Sequence, residues 1–184
     1  MLYVTADTHW GHHNIIGYSS RPFATVEEMN STMVELWNAT VTDEDTVFFL
    51  GDFSLTGAKH LRVSEDELNG KIVRVKGSHD GSRAVIQSMV VNYYGMKIGM
   101  VHKPQDQLEG MDLNLHGHVH GAWKHRWVGK SLEHVQVNVG VDVWEYRPVS
   151  LESVVKYARR TIKHQDSYTK RFAHNLTNRE EHHG

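Results

Sequence analysis

The sequence predicts a layered α/β domain in which two sheets lie face to face between helices. Three observations point to it: short apolar runs that each end in a polar cluster, helical spacing between the first of those runs, and a second half dominated by strand patterns. At 184 residues the chain reads as one domain over 1–164, followed over 165–184 by a polar tail or an accessory helix that docks in a homo-oligomer.

Leu2 to Ala6 is the first buried strand, ended by Asp7-Thr8-His9-Trp10-Gly11-His12-His13-Asn14, and a loop runs on through Arg21-Pro22-Phe23. Thr25 and Glu28 make a capping box, and Val26, Met29, Met33, Leu36 and Trp37 recur at helical spacing to about Thr40. Thr46–Leu50 is a strand closed by Gly51-Asp52, residues 64–69 a short helix ending at Gly70, and Lys71–Lys76 a strand closed by Gly77-Ser78-His79-Asp80. A helix over 82–91 is expected next, then a hairpin-like pair near Val90–Tyr94 and Met96–His102. Asp112–Leu115 is a strand leading into His116-Gly117-His118-Val119-His120-Gly121. Val135–Val139 and Val141–Val143 alternate as strands do, and Ser150 caps a last helix through about Ile162.

The absence of cysteine excludes disulfides, thiolate metal sites and cysteine nucleophiles, and fits a reducing cytoplasm. With no basic leader and no apolar run of membrane-spanning length, a soluble cytoplasmic protein is expected. Fifteen histidines are a heavy imidazole load, and with thiols absent a metal site would use nitrogen and oxygen ligands. The first 150 residues hold 18 acidic against 13 basic side chains, which argues against broad electrostatic adhesion to nucleic acid. Trp123-Lys124-His125-Arg126-Trp127 does interleave basic and aromatic groups, a pattern that either grips single-stranded nucleic acid or packs as an ordinary hairpin.

Successive strands end in metal-friendly groups: Asp7 with His9, Asp52, His79 with Asp80, His102, and His118 with His120. Their convergence in one crevice is hard to obtain from core packing alone. His116 reads as a strand residue supporting its neighbours, and Met29, Met33 and Trp37 as core.

The ordered set Asp7-x-His9, Gly51-Asp52, Gly77-Ser78-His79-Asp80, His102 and Gly117-His118-Val119-His120 resembles the calcineurin-like metallophosphoesterase superfamily, in particular its small single-domain bacterial and phage branch. The resemblance implies a four-layer α-β-β-α sandwich of two mixed sheets flanked by helices. It implies two divalent metal ions, manganese first and iron, zinc, nickel or cobalt as alternatives. Asp7, His9 and His120 would hold one, His102 and His118 the other, and Asp52 would bridge them. It further implies in-line attack of a metal-bound hydroxide on a phosphate ester, with His79 as general acid oriented by Asp80. The superfamily usually carries asparagine as a second-metal ligand where this chain has Ser78, a shorter and poorer ligand. Arg21, His12 and Arg83 are candidates for binding the substrate phosphate. A phosphodiester is favoured, with a nucleotide or single-stranded nucleic acid among the candidate substrates. A phosphomonoesterase or protein phosphatase, or a catalytically weakened metal-binding scaffold, is the alternative.

Overall fold

The computed structural model describes residues 1–54, 63–81, 86–128 and 134–180, with side chains given as far as residue 165 in the last helix. Strands β1 (Leu2–Thr5), β2 (Thr46–Leu50), β3 (Lys71–Val75) and β9 (Val149–Ser150) form one sheet in the order β3-β2-β1-β9. β4 (Ser88–Tyr93), β5 (Met96–Val101), β6 (Leu113–His116), β7 (His125–Val128) and β8 (His134–Asn138) form the other, ordered β4-β5-β6-β8-β7. Both sheets are mixed: β1, β2 and β3 run parallel with β9 reversed, while β5, β6 and β8 run parallel between reversed β4 and β7.

Strand periodicity decides which residues fill each layer. Val4, Leu50 and Val75 point from the four-stranded sheet into the interior, where they meet Ile98, Met100, Leu113, Leu115, Val135 and Val137 of the five-stranded one. Tyr3, Val47 and Phe49 point the other way, onto α2 (Val26–Thr40) and its buried stripe Val26, Met29, Met33 and Trp37. The Thr25 hydroxyl accepts from Glu28 N–H at 3.1 Å, so this helix begins at the predicted N-cap, but the Glu28 carboxylate accepts from Ala24 N–H at 2.7 Å, one residue before the N–H that a capping box uses. Leu36, expected on the stripe, is only half-buried.

Helix α3 (Leu151–Glu180) packs against both sheets at once. Its residues Leu151, Val154, Val155 and Ala158 enter the inter-sheet core, and it touches β1 and β9 of one sheet and β8 of the other. The Ser150 hydroxyl accepts from Ser153 N–H at 3.2 Å, capping it as expected, but the helix runs on to Glu180 without a break, past the Ile162 end that the apolar spacing predicts. The far face of the five-stranded sheet is polar and held by loops: Asn114 exchanges hydrogen bonds with Leu108 at 3.0 and 3.1 Å, and Gln136 donates to the Pro104 carbonyl at 2.7 Å.

Several expected elements differ. Residues 88–93 are a strand, although the spacing over 82–91 predicts a helix; Met89, Val91 and Tyr93 satisfy a period of two as well as neighbouring positions satisfy 3.6, and pairing with β5 decides between them. Residues 82–85 lie outside the described ones. The short helix expected at 64–69 is a single 3-10 turn over Glu65–Glu67 with a capping box from Ser64. Val141–Val143 is a 3-10 turn rather than a strand. The loop after β1 contains a helix, α1 (His13–Tyr18). Among the described residues no helix is long and apolar enough to cross a membrane.

Candidate metal centre

The ligand-type residues lie just past the carboxyl ends of β1, β2, β5 and β6, so both sheets deliver side chains to one place. After β1 the chain runs beside the loop after β2, with Asp7 N–H donating to Gly51 O at 3.0 Å, His9 N–H to Asp52 O at 3.1 Å and Trp10 N–H to Phe53 O at 2.9 Å. Two groups result. Asp7, His9 and His120 have ligand atoms within 4.8 Å of one another, and so do Asp52, His102 and His118; each group could hold a metal ion. Each draws on both sheets.

The two carboxylates divide their oxygens between scaffold and site. Asp7 Oδ2 accepts from His118 N–H at 2.8 Å, and Asp52 Oδ1 accepts from His79 N–H at 2.7 Å. Asp52 Oδ2 lies 3.2 Å from His102 Nε2 in one group and 3.6 Å from His9 Nε2 in the other, between the two. Asp7 Oδ1, His9 Nε2 and His102 Nε2 are buried atoms without a hydrogen-bond partner, which is costly unless a cation completes them, so the donor set fits divalent metal.

Tautomers are arranged to match. His102 Nδ1 lies 2.9 Å from the Leu50 carbonyl and His120 Nδ1 lies 2.9 Å from Asp142 Oδ2; N–H donation there leaves each Nε2 lone pair for a metal. Burial raises the Asp7 carboxyl to about 7 against the opposing pull of His102 and His120. Burial lowers His9 to about 3, keeping that ring neutral. Burial also pulls His102 and His120 down, but the carboxylates of Asp52 and Asp7 around the first, and of Asp142 and Asp7 around the second, outweigh it and raise both. Asp52 is held well below the usual carboxylate range because contact with His102 and the His79 N–H outweighs burial.

Backbone geometry is unusual at these positions. Asp7, His9, Asp52, His118 and His120 all have positive φ, between 48° and 72°, the left-handed region that side chains disfavour by roughly 1–2 kcal/mol each. His102 is the member of the two groups that does not. Glycine is required where loops approach most closely: a Cβ on Gly77 would stand 2.0 Å from Asp52 N, and one on Gly117 would stand 2.5 Å from Asp7 Oδ2.

Other expected residues are placed differently. Arg21 does not face the site's mouth. Its side chain is fully buried, donating to Asp142 and to the carbonyls of Asp7 (2.7 Å) and Thr8 (2.9 Å), so it supports ligand-bearing backbone and has no exposed donor for a phosphate. Asp80, expected to orient the His79 ring, accepts from the backbone N–H of Asp52, Phe53 and Gly77 at 2.8–3.0 Å and from Arg74 at 2.9 Å, which clasps the loops after β2 and β3 together. His79 lines the cavity beside the first group, its ring centroid 5.4 Å from that of His9. His12 lines the same cavity. Ser78 is exposed on the rim of the second group's side. Arg83 lies outside the described residues. His116 packs its ring 4.6 Å from Trp123, as a supporting residue would.

Asp142, Asn138 and Arg74 carry no signal in the sequence that marks them as part of the site. Asn138 donates to the carbonyls of His120 (2.7 Å) and Trp123 (2.9 Å), fixing the turn that carries His120. The basic-aromatic hairpin uses its aromatics internally: Arg126 covers Trp123 at 4.9 Å, Trp127 packs on the inter-sheet core, and Lys124 sits 3.5 Å over Trp144.

No family model matches the chain. An uncharacterized protein of Methanocaldococcus jannaschii is 38% identical over 159 residues, spanning 84% of this chain and 89% of the relative. The chain belongs to that protein's family. A protein of unknown function from Aquifex aeolicus has the same fold, with a TM-score of 0.65 at 23% identity over 85% of this chain and 98% of its own. Looser likenesses are to an archaeal phosphodiesterase (TM-score 0.44, 20% identity, 76% of this chain and 82% of that one) and to zinc-bound Vps29 from Entamoeba histolytica (0.45, 19%, 76% and 73%). The two mixed sheets carry the five motifs in the order whose pattern resembles the calcineurin-like metallophosphoesterases.

Proposed function

We propose that the protein is a phosphodiesterase that works with two divalent metal ions. The observation carrying this reading is the position of Asp52 Oδ2 between the two ligand groups, within 3.6 Å of a histidine from each. Asp7, His9 and His120 would hold one ion, His102 and His118 the other, and Asp52 both. When bound, such a pair supplies Lewis acidity toward a phosphoryl oxygen and acidifies a water for attack on phosphorus. The chain's own contribution is to fix the ligands, keep His9 neutral, and present the His79 imidazole beside the first group, where it protonates the departing oxygen. The ligand types fit manganese, iron, zinc, nickel or cobalt, with manganese the first candidate, and the cytoplasm is the expected compartment.

A diester is favoured over a monoester by the cavity's charge. Its described lining beside the first group holds no lysine or arginine, and Arg21 is turned inward, so apart from the His79 imidazolium that serves as the acid a monoester's second charge would meet no cationic side chain there. Turnover of bis(p-nitrophenyl) phosphate and p-nitrophenyl phosphate by manganese-loaded protein tests the reading. The expected result is metal-dependent diester hydrolysis that falls at least about 100-fold in Asp52→Asn and in His79→Ala. No turnover, with stoichiometric binding of a protein partner, would establish the scaffold alternative.

A further inference from the structure

The two ligand groups sit between two unlike cavities. The larger, about 730 Å³, opens from His9 and His120 of the first group, with Ile15, Tyr18 and Val119 among its walls and no lysine, arginine or carboxylate among its described lining residues. The smaller, about 200 Å³, opens from His102 of the second group and is lined, among the described residues, by Lys76, Lys103, Ser78, Gln87 and one carboxylate, Asp106. Among the described residues, one end of the centre therefore has imidazoles as its only ionisable groups besides the Tyr18 phenol and is partly apolar, and the other carries two ammonium groups against one acid.

We propose that this polarity selects an asymmetric phosphodiester: a nucleoside, flat and uncharged, in the large cavity, and a second phosphate in the small one beside Lys76 and Lys103. The inference rests on the phosphodiesterase reading and narrows it to a substrate class, short nucleotide diesters that carry a further terminal phosphate. Tyr18 is what recommends the nucleoside. It is 76% exposed at the edge of the large cavity, and its ring meets the His12 ring at 6.3 Å and 79°, an edge contact and not a stack, so the exposed ring is open for a base to cover. The small cavity has the donors an anion needs. Its lysines supply point charges, and the Ser78 hydroxyl and Gln87 amide supply neutral hydrogen bonds. A second phosphate placed in the large cavity would meet no lysine or arginine among its described lining, so the substrate has one preferred direction across the metals.

The test uses the full chain loaded with manganese and three dinucleotides: thymidylyl-thymidine, and the same molecule bearing a 5′ or a 3′ terminal phosphate. The expected result is a kcat/KM about tenfold higher for one phosphorylated form than for the plain dinucleotide, the scale of one charge-assisted contact. That ratio collapses to about one in the double variant Lys76→Gln/Lys103→Gln, and Tyr18→Ala raises KM for all three. Equal kcat/KM for the three dinucleotides, or a preference that survives both glutamine substitutions, would overturn the proposal. Bis(p-nitrophenyl) phosphate, run alongside, separates the two readings: if it is not hydrolysed, the phosphodiesterase reading fails by itself. The dinucleotides are then compared by equilibrium titration. Tighter binding of a phosphorylated form, lost in the double variant, upholds the cavity assignment, and equal affinities overturn it.

Discussion

Arg21 and Asp142, 121 residues apart in the chain, meet in a buried two-point ion pair, Nε to Oδ1 at 2.8 Å and Nη2 to Oδ2 at 3.1 Å. Asp142 Oδ2 also accepts from the His120 ring, and the remaining Arg21 donors reach the carbonyls of Asp7 and Thr8. One guanidinium thus holds both halves of the first ligand group. Arg21→Lys keeps the charge but loses the fork, and is expected to weaken the first manganese ion by about 10- to 100-fold while sparing the second. Electron paramagnetic resonance titration of manganese checks it. Arg21→Ala leaves Asp142 buried without its main partner and is expected to cost about 3–5 kcal/mol in urea unfolding.

The Asp7 carboxyl fixes a pH dependence. Its value in the metal-free fold is about 7, above that of an unfolded aspartate, so between the ordinary aspartate range and 7 the folded chain holds a proton that the unfolded chain has released. Asp7 therefore costs almost no stability at pH 4 and a growing amount as pH rises to about 7, above which the cost stays constant. Asp7→Asn is expected to raise the melting temperature of chelator-treated protein at pH 8 and to leave it almost unchanged at pH 4, the reverse of an aspartate whose pKa is depressed. Metal binding must expel the same proton. Manganese affinity of the native chain should fall about tenfold per pH unit below 7 for each proton displaced, read by calorimetry.

Gly77 tolerates no side chain. The added Cβ would meet Asp52 backbone nitrogen at 2.0 Å and Asp52 Oδ1 at 2.3 Å, whereas one on Gly81 would meet nothing within 4 Å. Gly77→Ala is expected to destabilise the fold by about 1–3 kcal/mol and to empty the second manganese position. Gly81→Ala should match the native chain in both melting temperature and metal content.

Ser78 lines the small cavity that opens from His102 of the second group. Ser78→Asn should tighten the second manganese ion, by about tenfold if an amide oxygen joins the two imidazoles and the carboxylate, and should raise turnover. An unchanged binding isotherm and rate would show that position 78 takes no part in ligation.

The parts of the site legible in the sequence follow from local rules. Strands β1, β2, β3 and β6 end where an apolar run meets a charged or imidazole residue, and parallel strands put those ends on one side, so Asp7, His9, Asp52, His118 and His120 can be grouped from residue order alone. Asp142 gives no such signal. It sits in a 3-10 turn whose valines mimic a strand, and its partners are 121 and 22 residues away. Arg21 misleads because an arginine in a loop suggests a ligand contact, while its real partners are carbonyls that only the folded backbone brings near. Residues 88–93 mislead because a six-residue amphipathic run satisfies either period until it pairs with β5 as the edge strand of its sheet.

Because each ligand trio takes members from both leaves of the sandwich, an ion in either position would work as a rivet through the two layers. Stripping the ions is then expected to unfasten the strand ends on that side first, with amides near Ala6 and His116 exchanging hydrogen faster than those at the opposite ends of β1 and β6. Any substitution that loosens the rivets would for the same reason soften the whole sandwich, so activity and durability in this protein are expected to rise and fall together.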